Sequence, residues 1–242
     1  MENKFNQVVI VAAARTPIGS YKGFLKNIKA DQLGSIVIKE VINRAKIKSE
    51  DIDEVILGQV LTAATGQNPA RQASINANIP ISKPAYIVNQ VCGSGLRAVI
   101  SGYQSIKLGD TKSVICGGQE NMSIAPHSIF YRDKKEYSED KLVDTMIYDG
   151  LTDAFNNYHM GVTAENVAKE FNITRQEQDN FALSSQEKTQ TAIQNNKFYE
   201  EIVAINKNET IFKMDEHPRV NIKLSDLQKL KTVFKENGTV TA

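Results

Sequence analysis

The stretch Ile87-Val88-Asn89-Gln90-Val91-Cys92-Gly93-Ser94-Gly95-Leu96 is a short apolar run that ends in a cysteine and opens into a patterned segment. Beyond it Leu96, Val99, Ile100, Tyr103 and Ile106 recur every three or four residues, the apolar stripe of a helix, and Gly109 is a suitable C-terminal stop. Cys92 is therefore predicted at a strand-to-helix turn. The first backbone N–H groups of a helix lack partners and its dipole is positive there, so a thiolate at such a place is stabilised and suited to nucleophilic attack. Gly93 and Gly95 allow a sharp turn and leave room for a substrate near the sulfur, and Ser94 is placed to cap the turn. A free cysteine is also commonly a small buried hydrophobe. Position and neighbours alone leave both readings of Cys92 open, since strand–turn–helix nucleophiles recur on unrelated folds.

The elements that must carry this turn follow from periodicity. Residues 8–14 are a continuous valine-rich apolar run, predicted as a central strand buried on both faces, and Arg15-Thr16-Pro17 breaks it. Asp31 precedes Leu33, Ile36, Val37, Val41, Ile42 and Ala45, which predicts an N-cap and an amphipathic helix of about four turns. Residues 54–60 read as a strand. Asn68-Pro69 opens a helix reaching about residue 78, and residues 112–116 form a strand closed by Gly117-Gly118. Strands alternating with amphipathic helices predict an α/β domain with a largely parallel sheet over residues 1–118.

After Gly118 the character changes. Residues 119–160 have little periodicity and many charges, including Arg132-Asp133-Lys134-Lys135-Glu136, and read as an exposed connection; one this long is normally functional or partnered. Two helices follow, at 161–171 and 174–196. In the second, Thr174-Arg175-Gln176-Glu177 makes a capping box, and Phe181, Ala182 and Ala192 are the predicted packing face. Residues 201–205 and 210–214 alternate like a hairpin, and 224–230 form a short helix.

Composition narrows the class. The 242 residues are 41% apolar and 24% charged with a net charge of +1, ordinary for a soluble globular protein. No basic block suggests nucleic acid or an anionic membrane, and no window has the length of a membrane span. Met1-Glu2-Asn3-Lys4 leads into the chain without a cleavable signal pattern, so a cytoplasmic protein is expected. With Cys92 and Cys116 alone, neither a disulfide framework nor a metal site is predicted, and Cys116 reads as a buried strand-end residue.

The Cys92 stretch closely resembles the active-site segment of thiolases. Val8 to Gly19 (VVIVAAARTPIG), Gly66 to Ala73 (GQNPARQA), Gly117 to Ser123 (GGQENMS), Tyr158-His159-Met160-Gly161, Thr163-Ala164-Glu165-Asn166 and Gly238-Thr239-Val240-Thr241-Ala242 resemble other blocks of that family, in order and through the whole chain. The resemblance implies a layered α/β/α N-terminal domain at 1–118. It implies an inserted α+β loop domain at 119–242 that covers coenzyme A and carries an oligomerisation segment. It also implies acyl transfer through an acyl-enzyme on Cys92, condensing two acetyl-CoA to acetoacetyl-CoA or running the reverse thiolysis, with coenzyme A thioesters as substrates and no cofactor. The full-length form is then expected to be a homo-oligomer, a dimer or tetramer.

His159, in a polar stretch, and Met160 read by residue type as structural and packing residues. By resemblance to short-chain, acetoacetyl-CoA-type thiolases they line, with Leu151, the pantetheine channel. Arg219 matches an arginine near the adenine nucleotide, where a guanidinium could stack on the ring or pair with phosphate; by type alone it is a solvated charge. Asp226 stands where relatives often carry glycine or serine, and an acid near the coenzyme phosphates would repel them.

Thiolase chemistry further needs a base, a second acid/base and oxyanion holes. In the family these come largely from Asn-Glu-Ala-Phe, Gly-His-Pro and Cys-x-Gly-Gly-Gly blocks, none of which these residues contain; the three histidines are His127, His159 and His217. The expectation is the N-terminal portion of a thiolase, inactive by itself, with a separate C-terminal half as a further partner. A non-catalytic CoA-binding or assembly module, a degradative 3-ketoacyl-CoA thiolase and a ketoacyl-synthase-type condensing enzyme are the alternatives. The Thr163 and Asn68 blocks argue against the last.

Overall fold

The computed structural model describes residues 7–132, 138–207 and 210–242. Internal contacts divide the chain into two compact units, Met1–Met146 with Glu201–Glu216, and Ile147–Glu200 with His217–Ala242.

The first unit is built on three parallel strands, β1 (Glu54–Gly58), β2 (Ala85–Val88) and β3 (Val114–Gly118), in the order β2-β1-β3. Val55 pairs with Ala85 on one side and Ile115 on the other; Gly58 pairs with Val88 and Gly118. A pleat sends alternate residues to opposite faces. Val55 and Leu57 enter a core with Ile38 and Ile42 of α1 (Ala30–Ala45) and Ala70 and Ala73 of α2 (Pro69–Asn76). Cys116, paired with Ile56, meets Gly102 of α3 (Ser94–Leu108), where an added Cβ would collide with its sulfur. Helices thus cover both faces of the sheet, the layered α/β arrangement expected from the alternating pattern.

Local chemistry sets the helix ends. Asn68 caps α2, its side chain accepting the Arg71 N–H at 3.1 Å, with Pro69 as first helical residue. Gly109 ends α3 at φ +84°. In α1 the expected cap moves: Lys29 is the cap residue, its N–H bonded to Gln32 Oε1, and Asp31 lies buried in the first turn, where a carboxylate suits the helix dipole.

One expected strand is absent. Residues 8–14 form no strand; Val9, Ile10 and Val11 are 68%, 82% and 71% exposed. Apolar composition marks a segment that gains from burial, but a strand needs a neighbour offering its edge. Here the Ala13 carbonyl is taken by the Arg44 guanidinium, and among the described residues the one bridge nearby joins Arg15 to Ile202. The apolar stripe marks α3 as a helix, as expected, but is not its buried face: Leu96, Val99, Ile100 and Tyr103 are exposed, while Ser94, Ala98 and Gly102, spaced four apart, lie buried. Small residues let a helix approach a sheet closely, and here their periodicity outweighs that of the large ones.

Residues 201–216 return to the first unit as an antiparallel pair, β6 (Ile205–Lys207) and β7 (Thr210–Phe212), with Phe212 stacked on Phe24 at 4.6 Å. The first predicted hairpin strand is displaced, because Glu201 and Val203 bond to Arg15 instead. Arg15 makes a two-point pair with Asp215, and Glu216 accepts the N–H groups of Ser20 and Phe24. Between Gly118 and residue 146 lie short pieces, among them β4 (His127–Ser128) paired with β5 (Val143–Asp144). Asp133 to Glu136 of the charged run lie outside the described residues.

The second unit contains α4 (Met160–Glu170), α5 (Arg175–Gln194) and α6 (Leu224–Gln228). The predicted capping box opens α5: the Glu177 N–H donates to Thr174 Oγ1 and the Thr174 N–H to Glu177 Oε2. Phe181 is 78% exposed and does not pack, a correction to the predicted face; α5 is fixed through Arg175, which pairs with buried Asp179 and donates to the carbonyls of Leu227 and Leu230.

Candidate active site

Parallel α/β sheets bind ligands beyond the carboxyl ends of their strands, and Cys92 emerges there. β2 ends at Val88, α3 begins at Ser94, and Cys92 is exposed in the intervening turn. Gly58, at the end of β1, makes room for this helix start; a Cβ there would stand 2.6 Å from the Gly95 nitrogen and 2.7 Å from Ser94 Cβ. The strand ends are knitted together from behind. Glu120, after β3, accepts the N–H groups of Val60 and Leu61 at 2.9 and 3.1 Å. Burial raises the pKa of its carboxyl in spite of these bonds. Gln119 donates its N–H to the Gly58 carbonyl, and its side chain to Gln59.

The two cysteines differ in setting. Cys92 is exposed, whereas Cys116 is partly covered against α3 and its thiol is pushed up to about 11, by burial first and by the nearby Glu54 second. A thiol held protonated is a poor nucleophile. Cys116 is half-covered in the middle of β3 rather than buried at a strand end, because the strand runs on through Gly117 and Gly118.

In the second unit three of the expected residues come together. Thr152 and His159 form an antiparallel bridge, which sets Leu151, the preceding residue, beside the start of α4. His159 caps that helix: its Nδ1 accepts the Gly161 N–H at 2.9 Å, and its ring stacks on Phe234 with centroids 5.0 Å apart. An Nδ1 that accepts leaves Nε2 to carry the proton of the neutral ring. Met160, the first helical residue, is 37% exposed. Gly161 is needed under this stack, since a Cβ would run into the Phe234 ring.

Arg219 is exposed and held elsewhere in the unit, its backbone N–H on Gln186 Oε1 at 2.9 Å. Asp226 accepts the Lys223 N–H at 3.1 Å and pairs with Lys229 at 3.7 Å. The acid therefore caps its own helix beside a cation, which offsets part of the charge expected to repel phosphates.

Sequence reasoning missed the partner residues. Phe234 stands against His159 across 75 positions, and buried Glu165 accepts the N–H groups of Thr239 and Val240. Burial opposes the charged form of Glu165, but these donors outweigh it and hold its pKa below the usual carboxylate value. Both family-like blocks, at 163–166 and 238–242, stand out in the sequence, whereas their joining by Glu165 is a matter of the fold.

Comparison with known proteins identifies the family and the fold. A family model described as "Thiolase, N-terminal domain" matches residues 8–242. The acetyl-CoA acetyltransferase of Cupriavidus necator is 52% identical over 241 residues, 97% of this chain and 61% of that protein. That of Paracoccus denitrificans is 49% identical over 240 residues, 98% of this chain and 61% of that protein. The cytosolic acetyl-CoA acetyltransferase of Rattus norvegicus is 49% identical over 97% of this chain. A crystal structure of the Bacillus anthracis acetyl-CoA acetyltransferase superposes with a TM-score of 0.90 at 35% identity, covering 96% of this chain and 60% of that one. The chain thus spans about three-fifths of the length of the relatives it matches.

Proposed function

This chain belongs to the thiolase family, and we propose that it contributes the acyl-accepting half of an acetyl-CoA acetyltransfer site. Cys92 attacks the thioester carbonyl of an acyl-CoA, the C–S bond to coenzyme A breaks, and the acetyl group rests on the sulfur as a new thioester. The α-carbon of a second acetyl-CoA, after loss of a proton, then displaces the sulfur to give acetoacetyl-CoA. In the thiolysis direction Cys92 attacks the ketone of acetoacetyl-CoA, the carbon–carbon bond breaks to release acetyl-CoA, and free coenzyme A takes the acetyl group from the sulfur as a second acetyl-CoA. Coenzyme A thioesters are substrates here rather than a cofactor. The observation that carries the reading is the exposed thiol in the turn between the end of β2 and the start of α3.

Leu151, His159 and Met160 are proposed to line the pantetheine channel, with Arg219 near the adenine nucleotide. The support is that the Thr152–His159 bridge groups the first three and that Arg219 is exposed. A short acyl chain is favoured by the His-Met pair. Assembly of the full-length form as a dimer or tetramer belongs to the same proposal.

The 242 residues include no Gly-His-Pro or Cys-x-Gly-Gly-Gly block, so a polypeptide of these residues is expected to take up acetyl slowly and not to turn over. Incubation with acetyl-CoA followed by peptide mass mapping tests the reading. Acetyl on Cys92, lost in Cys92→Ser, is expected; acetyl on Cys116 or on lysines alone would reject it.

A further inference from the structure

The residue before the reactive sulfur has an unusual backbone. Val91 sits at φ +47°, in the left-handed region. Most other non-glycine residues with positive φ in the described chain are asparagines, which reach this region at little cost; among the described residues Val91 is its single β-branched occupant. Strain of this kind persists only where surrounding bonds hold it.

Those bonds are present on both sides of Val91. Its N–H donates to Asn89 Oδ1 at 2.9 Å. Its carbonyl accepts the Ser94 N–H at 3.1 Å and also the Ser94 hydroxyl. The same Ser94 oxygen accepts the Gln90 N–H at 2.8 Å. Ser94 cannot drift, since it is 4% exposed and lies where a Cβ on Gly58 would strike it. On the far side Arg97 Nε donates to Gln90 Oε1 at 2.8 Å. The cysteine itself is exposed, so the turn, rather than packing around the sulfur, decides where the thiol stands.

We propose that Asn89 and Ser94 are positioning residues, gripping Val91 in its left-handed conformation so that Cys92 is presented at the opening of α3. The inference rests on the reading of Cys92 as the acyl acceptor. Released from the grip, Val91 relaxes to negative φ, the turn opens, and the thiol leaves its place at the opening of α3.

The test measures alkylation of Cys92 by iodoacetamide at neutral pH in the whole chain, with the covered Cys116 as internal reference. Asn89→Ala is expected to slow Cys92 about tenfold, equivalent to about 1.4 kcal/mol, without raising Cys116 labelling. Adding Val91→Gly to that variant makes the left-handed conformation free of strain and is expected to restore the Cys92 rate to within about threefold. Should Asn89→Ala fail to fold, Ser94→Ala removes the grip from the other side, with the same expectations and the same glycine rescue. An unchanged Cys92 rate overturns the proposal. So does a fall that glycine does not repair, or one accompanied by a rise in Cys116 labelling, which would assign Asn89 to general stability. Acetylation of the unaltered chain by acetyl-CoA is scored in parallel. Its failure strikes the acyltransfer reading and leaves the held turn standing, and the converse result separates them equally well.

Discussion

Replacing Gly58 by alanine probes the contact on which the Cys92 turn leans. The new Cβ would lie 2.6 Å from the Gly95 nitrogen and 2.7 Å from Ser94 Cβ, while ordinary van der Waals contact begins near 3.4 Å. Strand and helix start must therefore part by about 1 Å, and no flexible side-chain end is available to yield, because the obstructing atoms are backbone and a buried serine. Overpacking of this type costs about 1–3 kcal/mol, and backbone obstruction places Gly58→Ala toward the upper part of that span. Gly118→Ala is the matched control: its Cβ would meet the Gly58 carbonyl oxygen and Gly95 Cα at 3.4 Å, a contact that small adjustments absorb. Denaturant titration should show a lowered midpoint for Gly58→Ala with unchanged slope, and a loss below about 1 kcal/mol for Gly118→Ala. Iodoacetamide mapping should show Cys92 labelling falling relative to Cys116 in the first variant alone. A Gly58→Ala protein with the original midpoint and the original Cys92 rate would refute the reasoning that this glycine seats the helix start.

Thr174→Ala should cost about 1 kcal/mol by denaturant titration, since it removes the hydroxyl that caps α5; unchanged stability would place the start of that helix elsewhere. In the unaltered chain iodoacetamide near pH 7 should label Cys92 ahead of Cys116, whose thiol is pushed up to about 11, and the reverse order in folded protein would overturn the assignment. Asp215 is held below the usual carboxylate value: burial opposes its charged form, but bonds from Arg15 and the Ile18 N–H outweigh it. A folded-state value below the unfolded one gives stability that is complete above the unfolded carboxylate range and is lost as pH falls through the folded value. Stability of Asp215→Asn measured from pH 7 to 3 should accordingly fall less steeply than that of the original; an identical acid limb would remove Asp215 from the account. A polypeptide of these 242 residues should show no measurable thiolysis of acetoacetyl-CoA, because loss of a general base or of one oxyanion donor each costs about 100-fold or more; robust turnover abolished by Cys92→Ala would contradict the proposed division of labour.

What the sequence made legible was local. Asn68-Pro69, Thr174 with Glu177, and Gly109 announce helix ends because capping is settled within four residues, and the structure places those ends there. Alternating helices and strands gave the α/β class for the same reason. The return of residues 201–216 to the first unit was not legible, since it depends on Arg15 finding Glu201 and Asp215, nearly 200 positions away. Cys92 was legible as a candidate, as a cysteine between an apolar run and a helical pattern. The strain at Val91 was not, since valine has no propensity for the conformation that Asn89 and Ser94 impose on it.

Residues 8–14 read as a buried strand from their apolarity alone, yet Ile10 is 82% exposed, and Leu96, in the apolar stripe that marks α3 as a helix, is 68% exposed. Apolar periodicity reports the free energy available on burial, about 25 cal/mol per Å², and says nothing of which surface supplies the contact. Close approach obeys a different rule. Gly58 and Gly102 decide how near α3 lies to the sheet, because a methyl group at either would meet backbone or sulfur. Ser94, Ala98 and Gly102 consequently face the strands although a hydrophobicity scale ranks them below Leu96 and Val99. In a helix that sets the proposed nucleophile at the end of a sheet, the small residues fix position, and it is on that face that a single added carbon is expected to displace Cys92.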